Sequence, residues 1–200
     1  IIERAEKISP NLIGKVAPEF IDEFGRPFMK DLNGKIHTLQ SVEADYTLLV
    51  FYGPDCGHCK KEIPKIKETV DSLINLQFDI KTFAVATEFD VSKWRKFIND
   101  HKTQSWINVA DIGHDKEGNP LASSDWRDKY DIYSTPVVYL LDKYKTIIAK
   151  RITHKQFAEI IASREQSTTK TNKIPSKSTG TGFAINSSGY IAVSYTHLTL

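Results

Sequence analysis

The chain has 200 residues, enough for one domain of ordinary size with its own core and far more than a disulfide-stapled miniature needs. Lys plus Arg number 27 against 25 Asp plus Glu, a formal charge of +2, so nothing electrostatic points to nucleic acid or an anionic membrane as the partner. With 40% hydrophobic and 26% charged residues it reads as a soluble globular chain rather than a disordered one.

Residues 1–13 read as the end of a preceding segment, helical over 1–7 and punctuated by Pro10 and Gly14. Residues 14–40 hold short extended pieces broken by Gly25, Pro27 and Asn33-Gly34, the last a strong hairpin signal. The run at 47–52 is apolar without alternation and ends at Gly53-Pro54, which predicts a central strand buried on both faces. It is the longest such run and far short of the roughly 20 residues that cross a bilayer, so no membrane span is expected. No signal-type pattern stands at Ile1, which leaves the compartment open, since a signal or anchor can lie upstream.

Ile63, Ile66, Val70, Leu73 and Ile74 recur at helical spacing and predict an amphipathic helix containing Pro64. A strand over 78–86 follows, then a helix over 91–101 with Trp94, Phe97 and Ile98 inward, and a short strand over 106–110. Residues 113–122 are a polar loop and 125–130 a short helix. Strands at 137–141 and 146–152 are joined by a turn at 142–145, and a helix over 154–162 closes the domain. This order predicts one α/β domain over 14–163, a mixed central sheet with helices on both faces.

Only two cysteines occur, in Cys56-Gly57-His58-Cys59, at the point where the buried strand turns into a helix. Unpaired N–H groups and the helix dipole favour negative charge there and lower a thiol's pKa. Cys56 is the candidate nucleophile, and Cys59, one turn on, is placed to resolve a mixed disulfide. A zinc half-site is the competing reading, but no second CxxC or CxxH completes four ligands, so no metal is expected.

Four stretches carry a resemblance: Gly14-Lys15-Val16-Ala17-Pro18-Glu19-Phe20, Thr47-Leu48-Leu49-Val50-Phe51-Tyr52, Cys56-Gly57-His58-Cys59-Lys60-Lys61-Glu62-Ile63-Pro64 and Tyr133-Ser134-Thr135-Pro136-Val137-Val138-Tyr139-Leu140. In that order they resemble the thioredoxin-like superfamily, and within it the bacterial TlpA-like thiol-disulfide oxidoreductases of the cell envelope. The resemblance implies a thioredoxin-like three-layer fold with an N-terminal hairpin extension. It implies a cis bond at Pro136 facing the cysteines and an extended substrate docked on the backbone of Thr135. It also implies a periplasmic or envelope location, exchange with protein or peptide thiols and disulfides, a thiol redox partner protein and no bound cofactor. Glu62 matches an acid that in related reductases lies close to the cysteines; a plain surface charge is its other reading.

Two positions depart from the pattern. Asp55 stands where many members have Trp, and an adjacent carboxylate opposes thiolate formation. His58 stands where protein disulfide isomerases also have His, and it favours the thiolate, so these two tuning residues pull in opposite directions. Lys60 and Lys61 read as solvated charges, and Trp94 and Trp106 as core aromatics. Peroxiredoxin chemistry is disfavoured, because PxxxTxxC would need Thr in place of Gly53 and Pro in place of Leu49. Sco-type copper delivery is disfavoured because its cysteines are separated by three residues.

From about Arg164 the composition turns to Ser, Thr and Lys, which predicts a linker over 164–179 and a disordered tail. Residues 180–192 resemble the opening hairpin of an HtrA-type serine protease. In residues 193–200, Thr196 stands where the general-base His is due and His197 comes one place late. That last stretch resembles a translated sequencing adapter and is read as an artefactual end. Two functions therefore compete: a thiol-disulfide oxidoreductase using Cys56 and Cys59, and a non-catalytic thioredoxin-fold binding or redox-sensing module attached to a downstream protease.

Overall fold

Strand β1 (Tyr46–Tyr52) is buried at every position, which is why its sequence is apolar without alternation. The structure, a computed structural model, describes residues 9–88, 90–112, 126–171, 184–185 and 191–192. β1 lies at the centre of a five-stranded sheet of order β3-β2-β1-β4-β5. It runs parallel to β2 (Ile80–Ala86) and antiparallel to β4 (Val137–Asp142). β3 (Ile107–Ala110) extends the parallel side, and β5 (Ile147–Lys150) the antiparallel side.

The pleat of β1 divides its side chains between two cores. Leu48, Val50 and Tyr52 pack with α1 (Gly57–Asn75), through Cys59, Ile63, Ile66 and Val70, and with α2 (Val91–Asp100), through Trp94 and Phe97. Phe157 and Ile161 of α4 (His154–Thr171) belong to the same core. Leu49 and Phe51 face the other way, into Phe20, Met29, Leu39 and the short helix α3 (Trp126–Lys129) with Tyr130 after it. Phe20 stacks on Tyr130 and Phe83 with ring centroids 5.3 and 5.9 Å apart. Trp94 and Trp106 are core residues, as expected. α1 runs unbroken through Pro64, and Asp90 caps α2 by accepting the Lys93 N–H at 3.0 Å.

The expected N-terminal hairpin extension is short, closed by antiparallel bridges rather than by full strands. The turn at Asn33-Gly34 forms, with Gly34 at φ 81° and the Asp31 carboxylate accepting the N–H groups of Asn33 and Lys35 at 2.8 and 3.0 Å. Lys30 and Ile36 pair across it, flanked by hydrogen bonds from Asp31 N–H to Lys35 O and from His37 N–H to Met29 O, both 2.9 Å. Lys30 also bridges Ala110 on β3, while Val16 bridges Thr146 beside β5. One segment thus reaches both edges of the sheet.

Residues 162–200 form a second unit. α4 is helical to Thr171, past the expected linker start at Arg164, and Arg164, Glu165, Gln166 and Lys170 are serviceable helix formers. Within the tail, β6 (Ala184–Ile185) pairs antiparallel with β7 (Ile191–Ala192). The expected helix at 1–7, the loop at 113–122 and the artefactual end at 193–200 lie outside the described residues, as do 172–179 of the linker. Among the described residues no helix is long and apolar enough to cross a membrane.

Candidate active site

β1 delivers the chain to Gly53-Pro54-Asp55, and Cys56 follows as the residue capping α1, with φ −69° and ψ 119°. Its N–H donates to Gly53 O at 3.0 Å, closing the turn. Its sulfur accepts the Cys59 N–H at 3.4 Å, so one of the free amides of the helix's first turn is spent on the cysteine itself. Cys56 is half-buried, whereas Cys59 faces the core beneath it and receives the Gly53 N–H on sulfur at 3.4 Å. Both are free thiols.

Thr135 and Pro136, joined by a cis bond just before β4, lie opposite the cysteines. The Cys56 thiol donates to Thr135 O at 3.3 Å, a contact between residues 79 positions apart. Partial burial pushes the Cys56 thiol up, but hydrogen bonds with the Thr135 side chain, Cys59 and the His58 backbone outweigh it and leave the thiol below its ordinary value. Burial dominates at Cys59 and pushes its thiol up to about 12. The pair is therefore split into a readily ionised, accessible sulfur and a protonated, enclosed one.

The other expected site residues are distributed as follows. His58 is exposed, and what it brings to Cys56 is its backbone N–H rather than its ring. The Asp55 carboxylate turns to Lys93, whose Nζ lies 2.5 Å away, and this hydrogen bond holds the carboxyl below its usual range. Glu62 takes a hydrogen bond from Lys65 at 2.8 Å and stands 3.5 Å from His154 Nδ1, an ion-pair distance too long for a good hydrogen bond. Those are its partners, and chiefly the Lys65 bond lowers its carboxyl. Glu62, Pro136, Arg151 and His154 line a cavity of about 260 Å³ beside the cis bond. Lys60 and Lys61 are exposed.

Sequence reasoning missed Glu88 and Lys93. Glu88, just beyond β2, accepts the Asp55 N–H on Oε2 at 3.2 Å. The register of two parallel strands carries this signal, since Tyr52 pairs with Ala86 and the residues that follow each strand must meet.

A mixed sheet of this order, with two cysteines spaced CxxC at the N-terminus of the helix after the central strand, is the arrangement of the thioredoxin-like thiol-disulfide oxidoreductase family. Residues 13–150 match the AhpC/TSA family, and the chain belongs to that family. A domain of a possible thiol-disulfide isomerase from Cytophaga hutchinsonii is 36% identical, over 81% of this chain and 99% of that one, with a TM-score of 0.64. A thioredoxin-like protein from Bacteroides caccae is 25% identical over 81% of this chain and 53% of its own, with a TM-score of 0.64. The thioredoxin domain of a thiol-disulfide oxidoreductase from Bacteroides vulgatus, 23% identical over 76% of this chain and 97% of that one, shares the fold with a TM-score of 0.60. No curated protein matches the chain. None of these matches supports the protease resemblance of residues 180–192.

Proposed function

We propose that this chain exchanges its Cys56–Cys59 dithiol with disulfides of protein or peptide substrates in the bacterial cell envelope. The observation that carries the reading is the division between the two sulfurs, Cys56 accessible and ionisable, Cys59 enclosed and protonated. The Cys56 thiolate attacks one sulfur of the substrate disulfide, the S–S bond breaks, and the departing sulfur takes up a proton. Cys59 then gives up its proton and attacks Cys56 Sγ, releasing the second substrate thiol and closing the Cys56–Cys59 disulfide. Two electrons pass to the substrate, and the reverse sequence oxidises a substrate dithiol. Thr135, whose carbonyl stands at the Cys56 sulfur, is assigned to docking the substrate backbone together with Pro136. His58, Asp55 and Glu62 are assigned to tuning.

A thiol redox partner protein supplies or removes the electrons between turnovers. The solved relative from a Bacteroides species described as a thiol:disulfide interchange protein supports such partners. The envelope location rests on the TlpA-like resemblance. The test is insulin-disulfide reduction by the full chain: Cys56→Ser abolishes it, while Cys59→Ser accumulates mixed disulfides. Equal trapping by both variants overturns the assignment of nucleophile and resolver.

A further inference from the structure

Glu88 is half-buried beside the CxxC turn and carries none of the roles assigned so far. Its Oε2 accepts the N–H of Asp55, the residue immediately before the nucleophile, at 3.2 Å. Its Oε1 lies so close over Gly53 that a Cβ there would collide with it, and the same Cβ would stand 3.3 Å from Cys56 Cβ. The absence of a side chain at residue 53 therefore admits the carboxylate to the turn. The preceding residue reinforces the hold, because Thr87 donates to Tyr52 O through its N–H at 2.9 Å and through Oγ1 at 3.2 Å. The end of β2 thus grips the chain at Tyr52, Gly53 and Asp55, the three points from which Cys56 is suspended.

Glu88 acts on the turn as a hydrogen-bond acceptor, through the Asp55 N–H, while the Lys93 ammonium is engaged by the Asp55 carboxylate. We propose that Glu88 is a positioning residue for exchange at Cys56, clamping the Gly53–Asp55 turn so that the sulfur meets Thr135 and the amides of α1. The inference rests on the exchange reading above, since it concerns the same sulfur.

The experiment compares the full chain with Cys56→Ser, Glu88→Ala, Glu88→Gln and Gly53→Ala. It reads insulin-disulfide reduction, the pH profile of Cys56 alkylation by iodoacetamide, and thermal melting. Glu88→Ala is expected to slow reduction about tenfold, the scale on which misplaced reacting groups lose rate, and to move the alkylation profile to higher pH as Cys56 loses its amide contacts. Glu88→Gln keeps an acceptor oxygen and restores both readouts. Gly53→Ala displaces the carboxylate and falls with Glu88→Ala, and the double variant is no slower than either.

Glu88→Ala at wild-type rate and profile overturns the proposal, as does Glu88→Gln as impaired as Glu88→Ala. Should Glu88→Ala melt below the assay temperature, an active Glu88→Gln beside an impaired, folded Gly53→Ala supports the proposal, and any other pattern overturns it. Activity retained by Cys56→Ser instead overturns the exchange reading, whatever the Glu88 variants do.

Discussion

Lys93 Nζ meets Asp55 Oδ2 at 2.5 Å, so the first turn of α2 answers the charge of the residue immediately before Cys56. Both side chains are about half exposed, at 55% and 53%. Solvent screens the pair, which adds little to stability and acts chiefly on the electrostatics of its neighbourhood.

Replacing Lys93 by Met removes the cation hydrogen-bonded to the Asp55 carboxylate, and a like charge nearby disfavours a thiolate. The alkylation profile of Cys56 is expected to move to higher pH with little change in melting temperature, and the difference shrinks in high salt. An unmoved profile would show that Asp55 does not act on the thiol.

The split between the two sulfurs predicts selective chemistry. At neutral pH iodoacetamide should label Cys56 and spare Cys59, whose thiol lies up near 12, and peptide mass mapping reads this directly. The raised Cys59 value also sets a stability trend for the dithiol form. In the unfolded chain that thiol ionises near 9.0, in the folded chain near 12, so the stability it confers is complete below pH 9 and is lost as pH rises towards 12. The disulfide form has no such group; parallel alkaline melting curves for the two forms would refute the assignment.

Trp94 Nε1 donates to Tyr52 Oη at 2.8 Å, and Tyr52 Oη donates to Asn108 Oδ1 at 3.2 Å, in the core between β1, α2 and β3. Tyr52→Phe strands a buried indole N–H and a buried amide oxygen, at a cost of about 1–3 kcal/mol. Urea unfolding should show a lower midpoint with an unchanged slope.

The helix α4 contributes Phe157 and Ile161 to the core, and residues 13–150 span the family match. A chain ending at Thr171 should therefore keep the melting temperature and exchange rate of the full chain. A clear drop in either would place part of residues 172–200 within the folding unit.

The strands and helices from residue 46 onward were legible because each shows one period: the unalternated run of β1, the three- and four-residue spacing of α1, and Trp94, Phe97 and Ile98 on α2. The cysteine pair was legible because CxxC at a strand-to-helix turn has few other uses. Contacts made between separate loops were not. Asp55 finds Lys93 38 positions away, and nothing local to Asp55 announces a cation. His58 shows another limit, since its residue type suggested a ring effect while its backbone makes the contact with Cys56. The Ser/Thr composition after Arg164 suggested a linker because those residues lower helix propensity, yet α4 carries on through them to Thr171. In residues 14–40 the turn at Asn33-Gly34 was read from local chemistry, whereas the second pairing of Lys30, with Ala110, depends on a strand that forms far along the chain.

That double pairing bears on how the sheet is guarded. An open sheet exposes two rims of unpaired backbone, and each is a template for another chain. Here the strand at one rim exchanges hydrogen bonds with Lys30, N–H to O at 3.0 and 2.9 Å in the two directions, and the other rim is met by Gly14, Lys15 and Ala17 at Ile147 and Lys145. A proteolytic cut in this strap, between Ala17 and Lys30, would leave the guard at Ile147 and Lys145 on a separate fragment while Lys30 stays joined to β1, so the β5 rim would be the first to bare its backbone and self-associate.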